Sequence, residues 1–497
     1  MGIAKRISRL LRDERGGMAL WAGLLAPVLV GFGALSVDVA RMYNLDADLQ
    51  TAADSLARAG AIELDGRSDA IARSTAAINN LVDNEQRLAD AGAGEVQVAN
   101  LRFLKGLPPS DDAPITAGYV TADSKEARYV EVNVAPTAIT TVFPPSLVRG
   151  LVRSQLTAQA VGGRKSGMCG AAPLFICNPY EGTGQTLEVA LESRAVRGRL
   201  VQLRAKGGGN AAYGPGNFGF LEPPGGRGAN ELRDMMGQVS PDACYDAAGV
   251  ILRTGQISSV SQGLNTRFDL YDGNFSGKRN DPDYAPARNV TKGYTYTGNN
   301  ACNASPESNP SRALGLPRDA CFAAGSCPNM GGRMGDGNWD IVSYMRVNHR
   351  SPATATIGGV TYTFNYAAGT VSPSPRPTRY EVYRWEIDNA RIPGEYTPSG
   401  SGAWTQEKGA PRCFSGTVPS APDRRIIPVA VLNCEALEAE YGLNGGSTPP
   451  LPAIGFAKVF LTEPMGSGSD DVIWGELVGM LQKGVDPWST DQVEVRR

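Results

Sequence analysis

A chain of 497 residues with 48 Lys and Arg against 50 Asp and Glu carries a formal net charge of −2, and so lacks the basic excess that draws a protein to nucleic acid. Its 42% hydrophobic content excludes a disordered chain, and at roughly 150 residues per domain its length fits two to four units. A single histidine, His349, excludes a multi-histidine zinc site within one chain and leaves one residue around which a Ser-His-Asp or Cys-His centre could be built.

The first predicted element is a membrane anchor. Residues 1–15 hold Lys5, Arg6, Arg9, Arg12 and Arg15 against Asp13 and Glu14, and residues 16–37 carry no charge. As a helix, that uncharged stretch spans roughly 33 Å, enough for a bilayer core, and a helix hides its own backbone polar groups in lipid. The basic flank is expected to stay in the cytoplasm, which exports the bulk of the chain. A cleaved secretory signal and a buried core helix are the rival readings. The run is longer than the 7–15 residues of a signal, Leu35, Val37 and Val39 crowd the place where a cleavage site would fall, and the arginine flank is one-sided. Pro27 lies mid-span, which membrane helices tolerate.

The helix is expected to continue past the membrane. Val39, Met42, Leu45, Leu49, Ala52, Ala53, Leu56 and Ala59 recur at spacings of three or four and make one apolar stripe. The stripe packs either on this protein's own exported part or on another membrane-anchored subunit. A second helix is read over 67–90, then strands over 95–106, 128–137 and 154–163, a layout like that of a pilin. A turn-rich boundary falls near 163–168.

The residues of 12–61 resemble the N-terminal segment of TadG-like proteins of Flp (tight adherence) pilus assembly. The resemblance rests on Arg15, Gly16 and Gly17, the central Pro27, then Val37, Asp38, Arg41 and Tyr43, then Leu49, Gln50, Ala52, Ala53 and Asp54, and the close Ala59, Gly60 and Ala61. Weaker likeness continues at 214–221, 263–273, 335–349, 424–434 and 460–464. The resemblance implies a structural or organising subunit of the pilus machine in the bacterial inner membrane, with other membrane and periplasmic assembly proteins and the lipid bilayer as partners. A homo-oligomer is compatible with it, and nucleic acid is not expected. Two departures narrow what carries over. The Asp-x-Ser-x-Ser start of a von Willebrand A metal site is missing, and five residues on from Gly16 or Gly17 stands Trp21 or Ala22 where a processed pseudopilin has Glu. Metal-dependent adhesion and peptidase processing are therefore not expected, and the anchor is expected to be permanent.

Beyond 168, short apolar runs alternate with Gly, Pro and Asn loops, in keeping with 60 Gly and 34 Pro. Strands are read at 187–193, 199–205, 249–254, 360–366, 380–387, 426–434 and 457–463, and helices at 229–238, 434–442 and 472–481. The expected fold class is α+β: a cytoplasmic tail 1–15, a transmembrane helix 16–37, a helix and small sheet over 38–163, and a β-rich domain over 164–497.

Cys169, Cys177, Cys244, Cys302, Cys321, Cys327, Cys413 and Cys434 show no C-x-x-C spacing, so oxidised pairs in a non-cytoplasmic compartment explain them better than a metal does. Of the 105 connectivities open to eight cysteines, the short interval from Cys169 to Cys177 suggests one pair. The loop-rich segment 274–335 is short of apolar residues and is expected to need such bonds for order.

No catalytic, cofactor or metal residue is assigned. Gly214, Gly216 and Gly219 match G-x-G-x-x-G, but the sequence after them cannot open a helix cleanly, so a tight loop is expected. Asp336, Asn338 and Asp340 begin like a calcium loop, but Ile341 stands where Gly is needed and Val347 where Glu is needed, so a turn anchored by Trp339 is expected instead. Arg424 and Arg425 read as a solvated strand flank. The functional expectation is a non-catalytic assembly component. The alternatives are a membrane-tethered envelope hydrolase and a surface adhesin.

Overall fold

The structure is a computed structural model that describes residues 17–64, 69–81, 85–86, 94–108, 110, 112–124, 126–142, 155–165, 167–205, 212–223, 228–247, 249–253, 260–296, 302, 304–394, 407–443, 449–466, 472–482, 484–490 and 492–496. The chain forms two compact units: Met1–Lys165 together with Gln492–Arg497, and Ser166–Asp491. The basic tail 1–15 lies outside the described residues.

The first unit is built on helix α1 (Gly17–Ile62), 46 residues without a break, or about 69 Å at 1.5 Å per residue. Over its first half, Trp21, Leu24, Leu25, Val28, Leu29, Val30, Phe32 and Val37 all stand exposed. From Leu45 onward the helix buries Leu45, Leu49, Ala52, Ala53, Leu56, Ala57 and Ala61 in one core with the sheet below it. The stripe read from the sequence therefore packs on this chain's own sheet. Helix α2 (Ala70–Asn79) follows, and its Ile78 lies so close to Gly60 that a Cβ there would stand 2.6 Å from Ile78 Cδ1. Of the helix expected over 67–90, these ten residues are helical among the described residues, while Glu85–Gln86 instead pairs as a short antiparallel strand with Gly94–Glu95.

The sheet has four antiparallel strands, β1 (Val98–Leu104), β2 (Tyr129–Val134), β3 (Gln159–Lys165) and the C-terminal strand Gln492–Arg496, in the order C-terminal strand, β3, β2, β1. Sequence reading placed 492–496 with the second domain, yet these residues pair with β3 from Gln492↔Lys165 to Arg496↔Val161. The run expected as one strand over 154–163 is divided: Gln155–Leu156 pairs with Thr137–Ala138, and β3 begins at Gln159.

In the second unit the elements run β4 (Leu174–Cys177), α3 (Leu187–Glu192), β5 (Leu200–Ala205), β6 (Asn217–Leu221), α4 (Ala229–Gly237), α5 (Val260–Asn265), α6 (Ile341–His349), β7 (Thr354–Ile357), β8 (Val360–Asn365), β9 (Thr370–Ser372), α7 (Arg379–Asp388), β10 (Ile426–Leu432), α8 (Cys434–Tyr441), β11 (Gly455–Leu461) and β12 (Val472–Met480). Six of the strands close on themselves in the order β5, β12, β11, β10, β4, β6, with β6 returning to β5 at Arg204↔Asn217. The β10–β4 and β5–β6 pairs are parallel and the others antiparallel.

Alternate residues of all six strands meet in one apolar cluster, among them Ile176, Leu203, Phe218, Val429, Val459 and Ile473. A barrel this small is filled by its own side chains. The opposite faces, through Phe175, Ala430, Leu432, Phe456 and Phe460, share a second cluster with α6, α7 and the three-stranded sheet β7–β8–β9.

Three expected elements change type. Residues 187–192 form a helix because Thr186 caps it, its side chain accepting from Val189 N. Residues 379–388 form a helix because Thr378 and Glu381 close a capping box: Glu381 N donates to Thr378 Oγ1 at 3.1 Å and Thr378 N to Glu381 Oε2 at 2.8 Å. Residues 472–480, read as a helix, are the barrel strand β12. Of the strand expected over 249–254, only Leu252–Arg253 forms.

The eight cysteines stand as four pairs at disulfide distance: Cys169–Cys244, Cys177–Cys434, Cys302–Cys413 and Cys321–Cys327. The suggested Cys169–Cys177 pair is overturned by strand pairing. Cys169 lies directly opposite Cys244 in a short ladder, and Cys177 ends β4 beside Leu432, two residues before Cys434. The segment 274–335 is tied from Cys302 to Cys413 and locally between Cys321 and Cys327.

Candidate functional site

Two features distinguish the molecule: the bare half of α1 and a set of ionic groups buried in the second unit. Among the described residues α1 is the one helix long and apolar enough to cross a membrane, judged over Trp21–Ile62. Directly after the exposed Val37, where the bare half ends, the helix carries Asp38, which is only 1% exposed. Asp38 Oδ1 accepts from Val142 N at 2.9 Å, and one turn on Arg41 Nη1 donates to Thr140 O at 3.3 Å. The segment that closes the first unit's core is thereby held on the helix where packing begins.

The ionic groups of the second unit face inward. Arg379 on α7 reaches Asp319 and Glu476, the latter at 2.7 Å, with all three side chains no more than 1% exposed and the guanidinium 5.0 Å from the Trp339 ring centre. Arg425 donates to Leu461 O at 2.9 Å and Thr462 O at 3.0 Å, under the rings of Phe460, Tyr383 and Phe268. Arg424 donates to Ala285 O and Gln238 O, and Arg267 to Arg424 O and Met236 O. Arg424 and Arg425, expected as a solvated flank, are both buried. Their positive ends satisfy main-chain carbonyl oxygens at the end of β11 and in the loops around Gln238 and Ala285.

The acids do the converse. Asp269, at φ 62°, accepts the N–H groups of Arg412, Cys413 and Phe414 at 2.6, 2.7 and 2.9 Å. Glu407 Oε1 accepts from Lys292 N at 3.1 Å, while Lys292 Nζ donates to Phe268 O at 3.2 Å. Burial, which penalises charge, pushes the Glu407 and Glu476 carboxyls up to about 7, the Lys292 ammonium down to about 8 and Arg424 down to about 10.

His349 ends α6 in this interior. Its Nε2 lies 2.8 Å from Glu386 Oε1, which also accepts from Tyr344 Oη at 2.6 Å, and Asn289 Nδ2 donates to the other Glu386 oxygen. The His349 and Glu386 side chains are each 1% exposed, so the four residues join three segments of chain and present no open face to a substrate. The Asp336, Asn338 and Asp340 run is drawn into local structure: Asp336 accepts from Asn338 N, and Asp340 caps α6 through Ser343 N. Trp339 is fully buried and donates to Pro377 O at 3.0 Å. Gly214 and Asn217 close a turn ahead of β6, with Gly216 at φ +75°. Sequence reasoning missed Arg267, Asp269, Lys292, Asp319, Arg379, Glu407 and Glu476; the one visible signal was the Thr378-x-x-Glu381 box beside Arg379.

The described features define a class: one apolar helix continuous with a small α+β unit, joined to a cysteine-paired β-barrel unit. Residues 16–63 match the Tad family, described as "Putative Flp pilus-assembly TadE/G-like", a span that coincides with α1 and connects the chain to pilus assembly. No curated protein and no solved structure matches the chain.

Proposed function

We propose that this chain is a non-catalytic structural component of Flp pilus assembly, anchored in the bacterial inner membrane by residues 16–37, with its N-terminus cytoplasmic and both units periplasmic. The observation that carries the reading is that the TadE/G-like match coincides with one unbroken helix whose first half is bare and apolar and whose second half is the core of a folded unit. Lipid is the solvent that suits the bare half, and an unbroken helix transmits its position rigidly to the sheet. The arginines and lysine of 1–15 favour a cytoplasmic N-terminus, and the four cysteine pairs suit an oxidising space. Its partners in this reading are other membrane and periplasmic assembly proteins.

The double substitution Leu25→Arg/Leu29→Arg places two charges mid-span at a cost of about 5–7 kcal/mol on insertion scales. The expected result is loss of the protein from the membrane fraction. A phosphatase reporter active only outside the cytoplasm, fused at the C-terminus, is expected to be active, and peptide mapping without reductant is expected to return the four pairs. Unchanged fractionation, a silent reporter or eight reduced thiols would each overturn the assignment.

A further inference from the structure

We infer that residues 139–142 form a second lipid contact, held on α1 by Asp38 and Arg41 so that the Val142 side chain rests at the boundary between headgroups and acyl chains. The inference deepens the membrane reading above and rests on it.

The helix supplies its own depth scale. Trp21 and Tyr43 are 63% and 73% exposed, and the 22 helical steps from one to the other correspond to about 33 Å along the axis. That matches a hydrocarbon core of about 30 Å with an aromatic side chain at each interface, the place amphipathic rings prefer. Asp38 and Arg41 lie inside this girdle, on the Tyr43 side.

A carboxylate facing lipid at that depth is costly, and the structure encloses it. Asp38 is 1% exposed and receives the Val142 N–H, while Arg41 reaches the Thr140 carbonyl. Ile139, buried in the first unit's core, fixes the same segment from its other side. Two polar contacts and one apolar anchor thus hold residues 139–142 at the level where the span ends. Val142 is left 68% exposed at that level. Val37, the residue before Asp38, is exposed as well, so apolar surface stands on both the helix and the clamped segment at this level.

The test uses the full chain, disulfides intact, reconstituted into phosphatidylcholine–phosphatidylglycerol vesicles. Single cysteines at Leu29, Val142 and Ile62 carry an environment-sensitive fluorophore, and nitroxide lipids quench at shallow or deep acyl positions. Ile62, exposed and 19 residues beyond Tyr43 on the same helix, reports water. Leu29→Cys is expected to be quenched best by the deep nitroxide, and Val142→Cys at least twofold more than Ile62→Cys by the shallow one. Adding Asp38→Ala is expected to bring the Val142→Cys signal down to that of Ile62→Cys. If Leu29→Cys is quenched and Val142→Cys matches Ile62→Cys, the second contact is wrong and the anchor stands. If Leu29→Cys is not quenched, the anchor fails and this inference with it. Shallow quenching at Val142→Cys that Asp38→Ala leaves unchanged overturns the clamp.

Discussion

Gly162 on β3 lies against the carbonyl of Ala57 on α1 so closely that a Cβ at that glycine would stand 2.2 Å from the oxygen. The helix crosses the sheet backbone to backbone there, and neither side can yield without moving a whole element. Gly162→Ala is expected to destabilise the first unit by about 1–3 kcal/mol, the usual cost of overpacking. At neighbouring Gly163 a Cβ meets only the Tyr129 ring, at 2.4 Å, and a ring can turn aside. Gly163→Ala is therefore expected to cost less. Protease resistance of the two variants in membranes, scored over temperature, checks the order.

Among the described residues, Arg379 is the cation that pairs with two buried acids, Asp319 and Glu476. Arg379→Met strands both carboxylates in the interior, and removing one side of such a set costs about 3–5 kcal/mol. The triple variant Arg379→Met/Asp319→Asn/Glu476→Gln is expected to regain much of that loss, because no charge is left unpaired. Urea unfolding of the three proteins measures it. An Arg379→Met variant as stable as the parent would show that the triad holds nothing.

The Glu407 and Lys292 pair sets a pH dependence whose sign follows from the directions of the two shifts. Burial raises Glu407 from 4.5 to about 7, so its stabilising contribution is complete below 4.5 and is lost as pH rises through 7. Burial lowers Lys292 from 10.5 to about 8, so its contribution is complete above 10.5 and is lost as pH falls through 8. Both are missing between about 7 and 8. The melting temperature of the parent, minus that of Glu407→Gln/Lys292→Met, is expected to pass through a minimum in that window and rise on either side. A difference independent of pH between 5.5 and 9.5 would refute the shifts.

The long apolar helix and its stripe were legible because each follows from a period or a run: uncharged residues over 16–37, then Leu45, Leu49, Ala52, Ala53 and Leu56 at helical spacing. The barrel was legible only in pieces. Its strand β12 looked helical because Gly475 interrupts the inward row Ile473, Gly475, Leu477, leaving two apolar residues four apart. The glycine is required there, since a Cβ would stand 2.8 Å from Phe460 O. In α7 the aromatic and aliphatic residues of 380–387 read as a short apolar strand, while the cap at Thr378 and Glu381 decided for a helix. The buried charges were illegible for a different reason. Arg425 looks like any strand-flanking arginine until β11 pairs with β10 and its end brings the Leu461 and Thr462 carbonyls to it.

The sheet beneath α1 takes its outer strand, Gln492–Arg496, from residues that follow the whole second unit in sequence. A ribosome must therefore translate the whole intervening polypeptide before that sheet can be completed, which makes the pairing among the most sequence-distant contacts the chain has to form. A frameshift or nonsense codon shortly before position 492 would leave every residue of the barrel present and yet injure the unit built on α1.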